Sequence, residues 1–509
     1  MKAGWAVAAS FLVLVGCGQV AKHESDTLVI ARAADAVSLD PAISMGSGDG
    51  TIINLCYQTL TAIDPRSADG TAVGRLAQSW TNSPDGMTWE FHLRPDAKFN
   101  DGTPVTAEAV AYSLKRVLKI NRAPAQGLFW MKAVDALDAH TVHFVLNIPF
   151  PVLPKILTLT SAAVVNPALV AAHQRSGDEG QAWLSEHCAG SGPYTVKSWQ
   201  RGQRLSLQRT PNGAGAYFAT VAFKVVPDES SRRLQIAKGD VDFIDTIGAA
   251  TADRYADISG VVLDTIESHN VLTYLTLNTQ RPALSDGRVR HAIADSIDYR
   301  ALREKVLDGH VTLLNGLIPP GVPGYDPSLP EPRRNIGEAK ALLAEAGYAN
   351  GLSLSMVVGQ TGPVAEMIQS NLADVGIHVT LQRLAPSALD DARVSGTFDV
   401  FYDGWVMDFP DPFIFLNLAF STPQDGGVGN FSHYRNPAAQ QLLNAAMVTA
   451  DPQKRAALYR QAQTVILKDQ PIVMLFAPKT IMARRSTLTH VLINPYQPNY
   501  LDIAAMGRD

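Results

Sequence analysis

Twelve histidines, three cysteines and the glycine-rich stretches Gly46-Ser-Gly-Asp-Gly50 and Ala189-Gly-Ser-Gly-Pro-Tyr194 are where chemistry could begin in this 509-residue chain. The histidines are scattered, with no two placed four apart to share a metal from one helix face. The first glycine stretch departs from the dinucleotide fingerprint. The second sets its serine between glycines without the nucleophile-elbow pattern, so both read as tight turns. No His-Glu-x-x-His, Cys-x-x-Cys or phosphate-loop sequence occurs. The residues thus offer no support for catalysis, for a cofactor or for a metal centre. Cys56 and Cys188 are too far apart in sequence for metal-ligand spacing, and both a long-range disulfide and a pair of buried thiols are compatible with them.

The third cysteine has a different setting. Cys17 follows Leu14-Val15-Gly16 at the end of an apolar run from Trp5 to Val15, with Lys2 ahead of it. That run is well short of the roughly 20 apolar residues a spanning helix requires and suits a secretory signal. Its ending resembles the bacterial lipoprotein signal, in which the cysteine is lipidated and becomes the first mature residue. Residues 1–16 are then removed, 17–24 form a linker, and acyl chains on Cys17 hold a soluble domain at a membrane. With 43 basic and 48 acidic side chains the chain is mildly acidic, which argues against nucleic acid as a partner. Its 46% hydrophobic content supplies two or three domains, with no second run of spanning length.

The elements that must position any site alternate in type. Thr27 to Ala31 starts a strand. Trp80 to Arg94 reads as a hairpin, with Pro84-Asp85-Gly86 as the turn and Trp89, Phe91 and Leu93 alternating at period two. Thr106 caps a helix that carries Val110, Leu114 and Val117 on one face. A second pair of runs flanks Asp138-Ala139-His140, and Arg204 to Gln208 and Ala222 to Val226 are strands. Helices are expected over Glu229–Lys238, Arg288–Asp308, Glu338–Ala346, Pro363–Val375 and Pro437–Asp469. The class is mixed α/β.

Segments spread along the chain carry a common resemblance. Leu39-Asp40-Pro41-Ala42, Leu76-Ala-Gln-Ser-Trp80, Phe99-Asn-Asp-Gly-Thr-Pro-Val-Thr-Ala107, Gly190-Ser-Gly-Pro-Tyr194, Asp286-Gly-Arg-Val-Arg-His-Ala-Ile293, Gly404-Trp405 and Asp408-Phe-Pro-Asp-Pro412 follow one another in order. They resemble the extracytoplasmic solute-binding receptors of ABC importers in the peptide, nickel and opine class, over essentially the whole mature chain. The resemblance implies a two-lobe periplasmic-binding-protein fold with a hinge and an inserted subdomain. Lobe I would comprise residues 25–64, 188–274 and 481–509, the insertion 65–187, and lobe II 275–480. It implies a monomeric, non-enzymatic protein that hands a peptide or other small amine to permease and ATPase subunits.

The resemblance also assigns a site. Asp408 would pair with the ligand's ammonium, because a buried ammonium needs an anionic acceptor. Backbone near Gly404 would lie along the ligand, and Trp405 would wall the pocket or pack in the core. Asn278 would bond the ligand or brace the hinge, and Ser47 and Gly48 would let the backbone approach closely. Without the resemblance, Asp408 and Asp411 read as turn formers beside Pro410 and Pro412. Dipeptide receptors carry an arginine for the ligand carboxylate where this chain has Val358-Gly-Gln-Thr-Gly362, which points to longer peptides or another amine. A nickel chelate, an opine, or a sensory or chaperone role on the same fold are the alternatives.

Overall fold

The computed structural model describes residues 26–44, 47–425, 429–497 and 500–509. Cys17 and its linker lie outside them. One sheet is built on Thr27–Arg32, whose six residues are all buried. This strand runs parallel to Thr220–Val225 on one side and to Phe243–Ile244 on the other. Arg204–Arg209 and Tyr194–Gln200 extend the sheet outward in antiparallel register. A second sheet orders Ile377–Arg383, Leu352–Val358, Val400–Val406 and Val271–Leu277.

A single long strand, Ile472–Arg485, belongs to both sheets. Its first half pairs with Val271–Leu277 and its second half with Val261–Glu267. Burial drops at Pro478–Thr480 between two well-buried stretches, and Pro478, which lacks an N–H, is suited to the point where the ladder changes partner. The other crossing runs through Ser268–Asn270, between the strands Val261–Glu267 and Val271–Leu277. Tyr274 and Leu275, on either side of the expected lobe boundary, consequently stand within one strand of the second sheet. The register of the pairing, invisible in a single segment, decides where the chain changes lobes.

The inserted unit has its own antiparallel sheet in the order Ala77–Asn82, Thr88–Leu93, Thr141–Leu146, Met131–Asp138. Trp89, Phe91 and Leu93 point inward as alternation requires. Helix Ala107–Ile120 covers this sheet, with the Thr106 hydroxyl accepting from the Ala109 N–H. Arg116 on that helix makes a two-pronged, fully buried bond to Asp40 at 2.7 and 2.6 Å, which explains a polar residue in the Leu39–Ala42 motif.

Two long helices expected from periodicity are interrupted. Ile297 is extended after helix Gly287–Ser296, and Asp298 caps a new turn by accepting from Ala301. Helices Pro437–Val448 and Pro452–Asp469 are divided by Thr449–Asp451, because Pro452 disfavours helical backbone before it and its position as first helical residue suits the Asp451 cap. Cys56 and Cys188 form a disulfide, and Gly192 closes around it: a Cβ there would lie 2.2 Å from the Leu55 carbonyl oxygen. The glycine turn at 189–194 is thus a close-packing device. Among the described residues no helix is long and apolar enough to cross a membrane.

Candidate functional site

A cavity of about 1010 Å³ lies where the two lobes and the inserted unit meet. The inserted unit gives it Phe129, Ile156 and Leu159, the first lobe Ser44, Gly50 and Tyr500, and the second lobe Val406, Phe413 and Met447. Asn270 reaches it from the crossing segment. Gly50 is required by contact, since a Cβ there would meet the Tyr500 ring at 2.3 Å. Across the lobes, the Phe129 and Phe413 rings stack with centroids 5.6 Å apart, and Phe150 meets Phe413 edge-on at 5.3 Å.

The charged feature sits just past the strand Val400–Val406. Met407 is buried and its N–H donates to the Asn270 carbonyl at 2.6 Å. Asp408 faces the cavity, while Phe409 and Pro410 are buried again. Asp411 turns the other way, taking Arg455 at 2.5 and 2.7 Å. The pair continues through Tyr459, which accepts from Arg455 at 3.2 Å and donates to Asn417 at 2.8 Å. The two acids of Asp408-Phe-Pro-Asp411 therefore do different work. Asp411 is neutralised in the core, and Asp408 has no cation among the described residues.

Asp408 can be reached by water inside the cleft, but protein surrounds it closely, and this desolvation pushes its carboxyl up to about 6. Gln497 steadies the loop by donating to the Asp408 backbone carbonyl at 3.2 Å. Burial, then the charge of Asp408, pushes the Tyr500 phenol up to about 12, so it stays a neutral hydrogen-bonding group. Lys155 of the inserted unit donates to the carbonyls of Pro410 at 2.9 Å and Asp69 at 3.0 Å. Such a cavity can accept a cation and surround the rest of its carrier with apolar and amide groups. Among the described residues no three His, Cys, Asp or Glu side chains gather as a metal site.

The other residues assigned from sequence are placed differently. Along the strand, Gly404, Val406 and Asp408 share the accessible face while Trp405 and Met407 turn inward. Trp405 packs on Phe415 at 5.6 Å and does not line the cavity; Gly404 shares the Asp408 face but lies beyond the cavity's edge. Asn278 is a correction as a ligand contact. Its amide donates to Gly396 and Phe398 and its oxygen accepts from Gln280, so it is 2% exposed and fully used in bracing the loop before Val400–Val406. Ser47 and Gly48 open helix Ser47–Cys56 between the lining residues Ser44 and Gly50. Sequence reasoning missed Phe129, Asn270, Phe413 and Tyr500. Only the apolar run Phe413-Ile-Phe-Leu416 directly after Asp411-Pro412 offered a signal.

This geometry has counterparts. The model of "Bacterial extracellular solute-binding proteins, family 5 Middle" matches residues 71–427. The probable D,D-dipeptide-binding periplasmic protein DdpA of Escherichia coli K12 is 34% identical, covering 95% of this chain and 94% of its own. The periplasmic oligopeptide-binding protein OppA of the same organism is 28% identical, covering 89% and 87%. The fold superposes on the periplasmic binding protein DppA of Helicobacter pylori in complex with the peptide STSA, with a TM-score of 0.80 and 24% identity over 95% of this chain and 98% of that one.

Proposed function

We propose, for a chain that belongs to family 5 of the bacterial extracellular solute-binding proteins, that the ligand is a short peptide or peptide-like amine whose ammonium Asp408 receives. The protein is an extracytoplasmic solute-binding component of an ABC importer and not an enzyme. One observation carries the ligand reading: a carboxylate without a cation faces a cavity that otherwise offers amides, hydroxyls and apolar walls. A ligand ammonium supplies the missing partner. The names of DdpA and OppA, a dipeptide and an oligopeptide binder, support the same class. At about 1010 Å³ the cavity lies at the upper end of the ~300–1,000 Å³ usual for small-molecule sites.

In this reading residues 26–64, 188–267 and 481–509, with the insertion 65–187, move against residues 271–477 about Ser268–Asn270 and Pro478–Thr480, the expected boundary at 274/275 moving to the gap between the strands Val261–Glu267 and Val271–Leu277. Closure brings Lys155 to Pro410 and Phe129 to Phe413, and it excludes water so that each polar contact is stronger. The monomer then presents its closed form to permease and ATPase subunits. Asp408→Ala should lose about 3–5 kcal/mol of binding, the range for leaving one member of a buried ion pair alone. N-acetylation of the peptide should cost the wild type a similar amount and the variant little, since both changes delete one interaction. Additive penalties in the four titrations would place the ammonium elsewhere.

The start of the chain supports a tether through acyl chains on Cys17. Cys17→Ser should shift the protein from the membrane fraction to the soluble one with its fold unchanged. Retention at the wild-type level would exclude the lipid anchor.

A further inference from the structure

Large apolar side chains from both the inserted unit and the second lobe line the cavity, and several keep accessible surface within it. Val406 is 51% exposed and Phe129 is 45% exposed, and both face into the cleft. Helix Phe413–Phe420 presents Ile414 and Leu418, one turn apart, and helix Pro437–Val448 adds Met447, each half-buried. Val406 stands two residues before Asp408 on the same face, roughly 7 Å away along extended backbone.

Much of the polar lining is committed to the protein itself. Ser44 donates to Asp49 at 2.8 Å, and the Asn270 oxygen accepts from Ser268 at 2.6 Å. Asn417 accepts from Tyr459 and donates to the Leu443 carbonyl, while Gln497 donates to Thr158 and to the Asp408 carbonyl. Gln440 is held between the Thr422 N–H and the Asn444 oxygen. Such groups shape the wall more than they offer bonds to a polar side chain. Burial by itself raises the Asp408 carboxyl, with no bonded donor to oppose it.

We infer that the ligand residue bearing the ammonium carries a large apolar side chain, of the leucine, methionine or phenylalanine kind, and that the cavity selects it over a small, polar or charged one. This rests on Asp408 as acceptor of the ammonium. In an α-amino acid the side chain leaves the same carbon as the ammonium, so an ammonium at Asp408 brings the first side chain within reach of Val406. An apolar one removes the remaining surface of these walls from water. A charged one would lose its hydration against them, and an acidic one would also meet Asp408.

The test uses purified full-length protein and tripeptides X-Ala-Ala, with X as Leu, Phe, Ala, Ser, Lys or Glu, titrated by calorimetry beside acetyl-Leu-Ala-Ala. The Leu and Phe peptides should bind about tenfold tighter or more than Ala-Ala-Ala, and the Ser, Lys and Glu peptides no better than it. Val406→Asn and Phe129→Ser change exposed side chains and should narrow the Leu-to-Ala ratio, a readout that a uniform loss of affinity would leave unchanged. Equal binding of all six peptides to the wild type, or a ratio untouched in both variants, overturns the inference. The ammonium contact then stands, provided the acetylated peptide still fails to bind. Equal binding of the acetylated peptide removes the Asp408 contact and this inference together. Binding of none of the peptides overturns both.

Discussion

The Lys155 ammonium donates to the carbonyl oxygen of Pro410 at 2.9 Å, joining points 255 residues apart in the chain. Lys155 belongs to the inserted unit, and Pro410 follows Asp408 in the loop that carries the unpartnered carboxylate. The same ammonium reaches the Asp69 carbonyl at 3.0 Å, so one side chain ties the Asp408 loop to the inserted unit. With the Phe129–Phe413 stack, specific groups join the inserted unit to the segment that follows Val400–Val406.

Lys155→Met keeps the apolar stem and deletes that tie. Ligand affinity should fall by about 1.5–3 kcal/mol, the usual value of a charge-assisted hydrogen bond, or one to two decades. Circular dichroism of the free protein should be unchanged. Calorimetry that finds wild-type affinity would remove Lys155 from the closure contact.

Binding should depend on pH through Asp408. Its carboxyl is pushed up to about 6 by desolvation, and only the ionised form attracts an ammonium. Affinity should be flat above about pH 6 to 7 and fall as pH drops through 6, and Asp408→Asn should flatten the profile. The stability sign is opposite. In the free protein the ionised carboxylate is disfavoured relative to the unfolded chain, so Asp408 weakens the fold above about pH 6 and ceases to do so as pH falls toward 4. Asp408→Asn should therefore raise the melting temperature at pH 8 but not at pH 4. A pH-independent difference in melting would contradict the desolvation of this group.

Asp411 should behave in the reverse way. Removing it leaves the buried Arg455 guanidinium unpaired, so Asp411→Ala should cost about 3–5 kcal/mol of stability. Urea denaturation compares the two variants directly. Equal effects of Asp408→Ala and Asp411→Ala on the midpoint would mean that the two acids share one role.

The Cys56–Cys188 bond closes a loop with a sequence separation of 132 and joins helix Ser47–Cys56 to the glycine turn at 189–194. The double variant Cys56→Ser, Cys188→Ser should lose about 2–5 kcal/mol, the usual range for a native disulfide. Denaturation with and without reductant should reproduce the loss in the wild type only. A wild type indifferent to reductant would show that the cross-link adds nothing.

Much of the local structure was legible in the sequence by itself, because period and caps are local. The Trp89–Phe91–Leu93 alternation, the Thr106 cap and the Pro84–Gly86 turn depend on neighbours a few residues away, and they stand where their pattern puts them. The order of motifs from Leu39 to Pro412 likewise identified the family, and with it Asp408 as a cavity residue. What only the tertiary structure decided involves distant partners. Asp408 and Asp411 stand three residues apart around Pro410, and their roles differ because Arg455 lies within reach of Asp411 and not of Asp408. Asn278 was an open choice until its three hydrogen bonds were all found inside the second lobe. The crossing point of the lobes depends on the register of Ile472–Arg485 with two separate strands. None of these is encoded in a local pattern, since each is the outcome of which distant group arrives within about 3 Å.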